Sequence, residues 1–393
     1  MRIIITSIFS ILILFLTGCS IPVKYDIVIN NVGVFDGETD RGIVNIGIRN
    51  DSIISITKEI LSGDSLIDGT SKYIIPGMIN GHVHASNLEQ LQEGYKYGIL
   101  ANLNMHTGLE NREAQWKKMS QDSVGFPFLY GSGHAATVPD GHPNQFSPDM
   151  ETINDSISIE QWVDNRIANG VDYIKIVRDG HPWLSYPLQP TLEYEQIGEI
   201  IRYSKSKGYK TVIHAITMED MLAIAKFKPD GFVHMMERTM EHPISDESFK
   251  ELAESNVFII PNAALWLKSK EGMPPFMKEW IGEHIFTQEQ CANYIKKIHD
   301  SGITIIAGTD AQSGQLNFGS DFLLELEMYK RAGLSNLEIL KTTTGNTAKA
   351  FDIPVGLITE GSKPNMLLLS GNPIKDLKHL QEIEKIWKNG NTE

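Results

Sequence analysis

The stretch Tyr73-Ile-Ile-Pro-Gly-Met-Ile-Asn-Gly-His-Val-His-Ala85 places two histidines, two residues apart, at the end of an apolar run. In an extended chain residues i and i+2 project from the same face, so His82 and His84 can chelate one ion from one side of a sheet. Two imidazoles do not make a site, and the same pair suits the polar end of an ordinary buried strand. Whether later strands supply further ligands decides between the two.

From this stretch onward, apolar runs alternate with helical stretches, the pattern of repeated βα units on a parallel sheet. The expected strands are Tyr73 to His82, Ile99 to Met105, Phe126 to Gly131, Tyr173 to Val177, Thr211 to His214, Gly231 to His234, Val257 to Ile260 and Thr304 to Ala307. Helices are expected at Leu192 to Lys207, Asp246 to Ser255, Thr287 to Ser301 and Leu334 to Ala350. Eight strands over roughly 250 residues is the size of an α/β protein of the (β/α)8 TIM-barrel class. A doubly wound open sheet is the alternative, but no Gly-rich phosphate motif follows the first strand. Short β-branched strands with Asn-Asn, Asp-Gly and Asn-Asp turns fill Tyr25 to Lys72, and similar segments return between Gly361 and Gly390. Each is too small to stand alone. The expected division is therefore a β-sandwich subdomain from 19–72 plus 355–393, and a barrel over 73–354.

A barrel of this kind builds its site at the C-terminal ends of its strands. There the sequence places His82 and His84 on the first strand, Lys175 on the fourth, His214 on the fifth, His234 on the sixth and Asp310 after the eighth. Each has a bland reading as a core histidine, a turn former or a strand lysine. Together, at the same end of successive strands, they point to a metal centre. Lys175, between Ile174 and Ile176, is expensive to bury as a bare cation.

With these residues in place, the chain from about Tyr25 to Lys388 resembles the metal-dependent amidohydrolase superfamily, in its imidazolonepropionase-like branch that includes Xaa-Pro dipeptidases. The resemblance rests on Pro76-Gly-Met-Ile-Asn-Gly-His-Val-His84, Gly170-Val-Asp-Tyr-Ile-Lys-Ile176, Val212-Ile-His-Ala215, Asp230-Gly-Phe-Val-His234, Gly308-Thr-Asp-Ala311 and Gly371-Asn-Pro373. It implies two divalent ions, zinc being the expected metal, with His82, His84 and Asp310 on the more buried ion and His214 and His234 on the other. It also implies that Lys175 is N6-carboxylated and bridges both ions, which turns a costly cation into an oxygen ligand. Water acidified between such ions would attack a carbonyl, with Asp310 moving the proton to the leaving amine. His142 on a long loop is the candidate donor to the developing oxyanion, with His134 as runner-up. Arg178 and Arg238 are candidates to pair with a substrate carboxylate. Relatives more often have small residues and glycines where this chain runs Val177-Arg-Asp-Gly-His-Pro182.

The activity implied is hydrolysis of C–N bonds in amides, a dipeptide ending in proline or a cyclic amide being the expected substrate. A lactonase, esterase or deaminase on the same centre is the alternative among enzymes, and a non-catalytic ligand-binding lipoprotein the alternative outside them. Lys plus Arg number 35 against 49 for Asp plus Glu, a net charge of −14. Nucleic acid is therefore excluded as a partner. Arg2, the apolar stretch Ile3 to Leu16 and Leu16-Thr-Gly-Cys19 read as a bacterial lipoprotein signal over 1–18, with Cys19 lipidated. The expected location is a membrane anchorage facing the periplasm or cell exterior. Cys291 would then be the single remaining thiol, so no internal disulfide is expected. Two long loops, Ser132 to Thr152 and Pro261 to Phe286, are expected to cover the site or pack over the rim. Homo-oligomerisation is left open.

Overall fold

The computed structural model describes residues 24–180, 189–235, 244–267, 287–312 and 316–392. Five strands come first: β1 (Tyr25–Phe35), β2 (Asp40–Arg49), β3 (Ser52–Thr57), β4 (Gly63–Asp68) and β5 (Tyr73–Pro76). A parallel series follows: β6 (Met78–His84), β7 (Ile99–Asn104), β8 (Phe128–Gly131), β9 (Ile174–Arg178), β10 (Thr211–Ala215), β11 (Gly231–Val233), β12 (Phe258–Ile260) and β13 (Thr304–Ile305). The short β14 (Ala311–Gln312) then precedes β15 (Met366–Leu369), β16 (Ile383–Lys388) and β17 (Asn391–Thr392).

The two termini build one eight-stranded sheet in the order β17-β16-β15-β5-β1-β2-β3, with β4 paired to β1. Its alternating Ile and Val side chains bury a separate core with Trp387 at the end. The strands are hydrogen-bonded into one sheet that branches at β1, which pairs with β2, β4 and β5. The expected first strand, Tyr73 to His82, is in fact two. Pro76 pairs with Met366 in the terminal sheet, whereas Met78 pairs with Ile99 in the parallel one. The change happens at one peptide: Gly77 N–H donates to Asn365 O at 2.9 Å and Met78 N–H to Gly98 O at 3.0 Å. A side chain at Gly77 would run into Leu100, so only glycine permits the crossing.

The parallel strands form two sheets, β14-β6-β7-β8 and β13-β12-β11-β10-β9. Both edges are connected. Ala136, beyond β8, bridges Ile176 of β9, and Gly81 N–H of β6 donates to Ala307 O beyond β13 at 2.8 Å. Hydrogen bonds followed from strand to strand therefore return to β6. The helices bury one stripe each; Tyr194–Ser206 buries Ile197, Ile200, Ile201 and Ser204, a spacing of i, i+3, i+4, i+7. Among the described residues, Leu88–Lys96, Glu110–Asp122, Ile159–Ala168, Met218–Ala225, Ala264–Leu267 and Ser320–Arg331 are further helices beyond those the pattern singled out. Glu110–Asp122 shows why: it buries Glu113 and Ser120 rather than an apolar stripe. The helix expected from Leu334 to Ala350 is broken into Asn336–Thr342 and Gly345–Phe351. Ala307 N–H and Ile79 N–H take the carbonyls of Thr342 and Thr343 at 3.0 and 2.7 Å, so the helix end is spent on the strands.

Candidate metal centre

His82 and Asp310 meet because two glycines let backbones approach closely. A Cβ on Gly81 would lie 2.7 Å from Ile306 Cγ2, and one on Gly308 would lie 2.7 Å from the His82 nitrogen. With both absent, Asp310 N–H donates to His82 O at 2.9 Å. Three residues beyond successive strand ends, His234, Asn262 and Asp310, hold positive φ of 76, 58 and 59°. Left-handed backbone costs such residues roughly 1–3 kcal/mol each, a cost sustained where surrounding structure fixes it. Here the turn swings all three towards one centre.

Nε2 of His82 lies 3.1 Å from Nε2 of His84, and Asp310 Oδ1 lies 3.3 and 3.0 Å from the same two nitrogens. Their tautomers are fixed from behind. Asn262 Nδ2 donates to Gly308 O at 2.9 Å and Asn262 Oδ1 accepts from His234 N–H at 3.2 Å, which orients the amide. That Oδ1, 3.1 Å from His82 Nδ1, requires the His82 proton on Nδ1. His84 Nδ1 faces the carbonyl oxygen of His106 at 3.0 Å and must likewise carry the proton. Both Nε2 atoms therefore present lone pairs to each other and to a carboxylate oxygen, an arrangement that repels itself without a cation. Ligands at about 2.0–2.1 Å from one ion stand about 2.9 Å apart at right angles and about 3.4 Å apart at the tetrahedral angle. The three observed edges fall in that range. Burial pushes the His82 imidazolium well below its usual range even against the pull of Asp310. Burial raises the Asp310 carboxyl, whereas positive charge placed among His82, His84 and His234 lowers it below its usual range.

Lys175 projects from β9 into the same space and is 3% exposed. Its Nζ has no hydrogen-bond partner among the described residues, and burial pushes its ammonium down to about 7 against the pull of Asp310. A neutral amine is thus accessible at physiological pH. His234 Nδ1 lies 4.0 Å from Asp310 Oδ2, and the His234 ring is 4.3 Å from that of His214, centroid to centroid. His214 in turn stands beside His142, at 5.1 Å between centroids, and its Nε2 lies 3.5 Å from Asp179 Oδ2. Burial and the neighbouring His214 push the His142 imidazolium down to about 3. Two donor groups result, one of His82, His234 and Asp310 with His84 beside it, the other of His142, Asp179 and His214. Imidazole and carboxylate donors of this kind suit zinc and neighbouring divalent metals.

These residues, Asp179 excepted, line a cavity of about 540 Å³ that is also lined by Leu109, Pro143, Phe146 and Leu265. The sequence-derived residues His82, His84, Lys175, His214, His234, Asp310 and His142 all reach it. His134 does not. Its imidazole sits 3.9 Å from Glu110 and accepts from Glu151 N–H, inside a network around Arg166. Arg178 is also turned away: it donates to Asp220 and to Leu192 O and stacks over Tyr194. In this arrangement it forms an ion pair with Asp220 and does not line the cavity. Arg238, Cys19 and most of the second long loop lie outside the described residues. Among the described residues no helix is long and apolar enough to cross a membrane. Asn262 and His106, which support the ligands from behind, escaped sequence reasoning. An asparagine in Ile-Ile-Pro-Asn at a strand end was the available signal for the first; the second directly follows the expected strand Ile99 to Met105.

Residues 73–393 match the amidohydrolase family. A stretch of 97 residues is 32% identical to ochratoxinase of Aspergillus niger, spanning 23% of this chain and 19% of that protein, about a fifth of its length. Among solved structures, a Xaa-Pro dipeptidase with bound methionine in its active site superposes with a TM-score of 0.76 at 18% identity, covering 93% of this chain and 99% of that one. The A. niger ochratoxinase structure gives a TM-score of 0.75 at 16% identity, covering 94% and 96%. At these identities the structures share the fold.

Proposed function

This chain belongs to the amidohydrolase family, and from that premise we propose that it is a metal-dependent hydrolase of C–N bonds in small amides. The closed cycle of eight parallel strands is read as the (β/α)8 barrel that carries such a site. The observation that carries the proposal is the convergence of His82 Nε2, His84 Nε2 and Asp310 Oδ1 within 3.0–3.3 Å, with both imidazole protons committed elsewhere.

Two divalent cations, zinc by donor type, would acidify a water molecule and polarise the scissile carbonyl. His82, His84 and Asp310 would hold one, and His214 and His234 the other. Lys175, whose ammonium burial pushes down to about 7 and which lines the same cavity, is suited to carboxylation as their bridge. Asp310 has its second oxygen turned towards His234 and serves to accept the proton of the attacking water and return it to the leaving nitrogen. His142 receives a 2.6 Å contact from Gln145 Nε2 on Nδ1, which leaves its proton on Nε2 as a donor for a developing oxyanion. The apolar side chains in the lining, Leu109, Pro143, Phe146 and Leu265, favour an amide with an apolar substituent. Dipeptides of the Xaa-Pro kind, the substrates named for one structural neighbour, are the first class to test, followed by cyclic amides.

Metal analysis coupled to a screen of dipeptides and cyclic amides tests this reading. About two ions per chain are expected, with amide hydrolysis reduced roughly 10²–10⁴-fold in Asp310→Asn. Full metal occupancy with esters or lactones cleaved and no amide touched would replace it, and full occupancy with no hydrolysis at all would make the protein a binder.

A further inference from the structure

We infer that Asp179 is a ligand of the second cation, bound beside His214, so that each ion of the centre has a carboxylate of its own. The inference rests on the metal-dependent reading above. Lys175 and Val177 of β9 line the cavity, and Asp179 follows one residue beyond the strand, its Oδ2 beside the cavity-lining His214. Asp179 is 3% exposed, and its backbone is held by a bond from its N–H to Thr191 Oγ1 at 3.2 Å.

His214 stands beside this buried carboxylate, where one cation would be shared between the two. Its Nε2 is buried, has no hydrogen-bond partner among the described residues, and lies 3.5 Å from Asp179 Oδ2. That separation is long for a hydrogen bond but close to the edge of about 3.4 Å between two donors at the tetrahedral angle of one ion. A ring nitrogen of His142, the donor assigned above to the oxyanion, also lies within 4.8 Å of both. The His234 ring, 4.3 Å from His214 between centroids, connects this group to the one around Asp310.

The competing role for Asp179 is as a positioning residue that only orients the His214 ring, and stoichiometry separates the two. Wild-type protein and Asp179→Asn are equilibrated with free zinc buffered about 1,000-fold above the wild-type dissociation constant, so that the roughly 10–100-fold weakening expected from a lost positioning contact leaves both sites filled. They are compared by elemental analysis, with circular dichroism as the check on folding. A ligand role predicts a fall from about two ions per chain to about one; two ions retained in the variant overturn it while leaving a binuclear centre intact. If the variant does not fold, anomalous diffraction from zinc-loaded wild type decides: an Asp179 oxygen within about 2.0–2.2 Å of an ion at His214 sustains the inference. An ion at His214 with Asp179 at hydrogen-bond distance from the ring overturns it. A single ion at His82, His84 and Asp310, with nothing at His214, overturns both this inference and the binuclear reading.

Discussion

Asn262 offers no atom to a cation in this arrangement, yet its amide touches His82 Nδ1, His234 N–H and Gly308 O at once. It joins the ends of three strands and dictates which His82 nitrogen is bare. Removing such a support typically weakens metal affinity about 10–100-fold, because the ring gains other tautomers and orientations. Asn262→Ala should therefore release zinc to a chromophoric chelator at a 10–100-fold lower chelator strength than wild type, while the circular dichroism spectrum is preserved. Equal affinity in the two proteins would show that packing alone orients His82. Sequence reading found the ligands because His and Asp at strand ends are chemically conspicuous, and it passed over Asn262 because an asparagine at a turn looks ordinary.

At the scale of elements, helix Ser320–Arg331 braces the loop that carries Asn262. Glu325 on this helix is fully buried, accepts from Ala264 N–H at 2.6 Å and from the Tyr329 hydroxyl at 2.8 Å. Burial pushes its carboxyl up to about 7 against those two bonds. The folded chain then keeps a proton that the unfolded chain has lost, so stability falls as pH rises from about 4.5 to 7 and levels off above. The amount is on the order of 3 kcal/mol. Glu113, also pushed up to about 7 by burial, acts in the same sense. Urea midpoints at pH 5 and pH 8 should therefore lie further apart in wild type than in Glu325→Gln, where one of the two groups no longer titrates. An unchanged gap would mean that Glu325 is ionised throughout.

For the whole molecule, the terminal sheet is held to the parallel one by Lys388 at the end of β16. Its ammonium donates to Ser120 O and, at 2.7 Å, to Ser123 O, and it stacks 4.3 Å above the Phe128 ring. Helix Glu110–Asp122 has no basic residue in its own last turn, so a lysine more than 260 positions away supplies the charge its carbonyl end favours. Lys388→Met keeps the stem but strands the two carbonyls, and a loss of about 1–3 kcal/mol is expected in urea unfolding with zinc content unchanged. A variant as stable as wild type would show the sheet to be held by its apolar core alone. The alternation of apolar runs with helices was enough to place the eight parallel strands and to gather six ligand candidates at one end, because strand periodicity and the cost of burying polar groups are local properties. Strand pairing, the break at Gly77, the turning of Arg178 towards Asp220 and the meeting of Asp179 with His214 were not legible. Each depends on which distant backbones can approach and on which way a turn points a side chain, and only the closed packing of the chain fixes those.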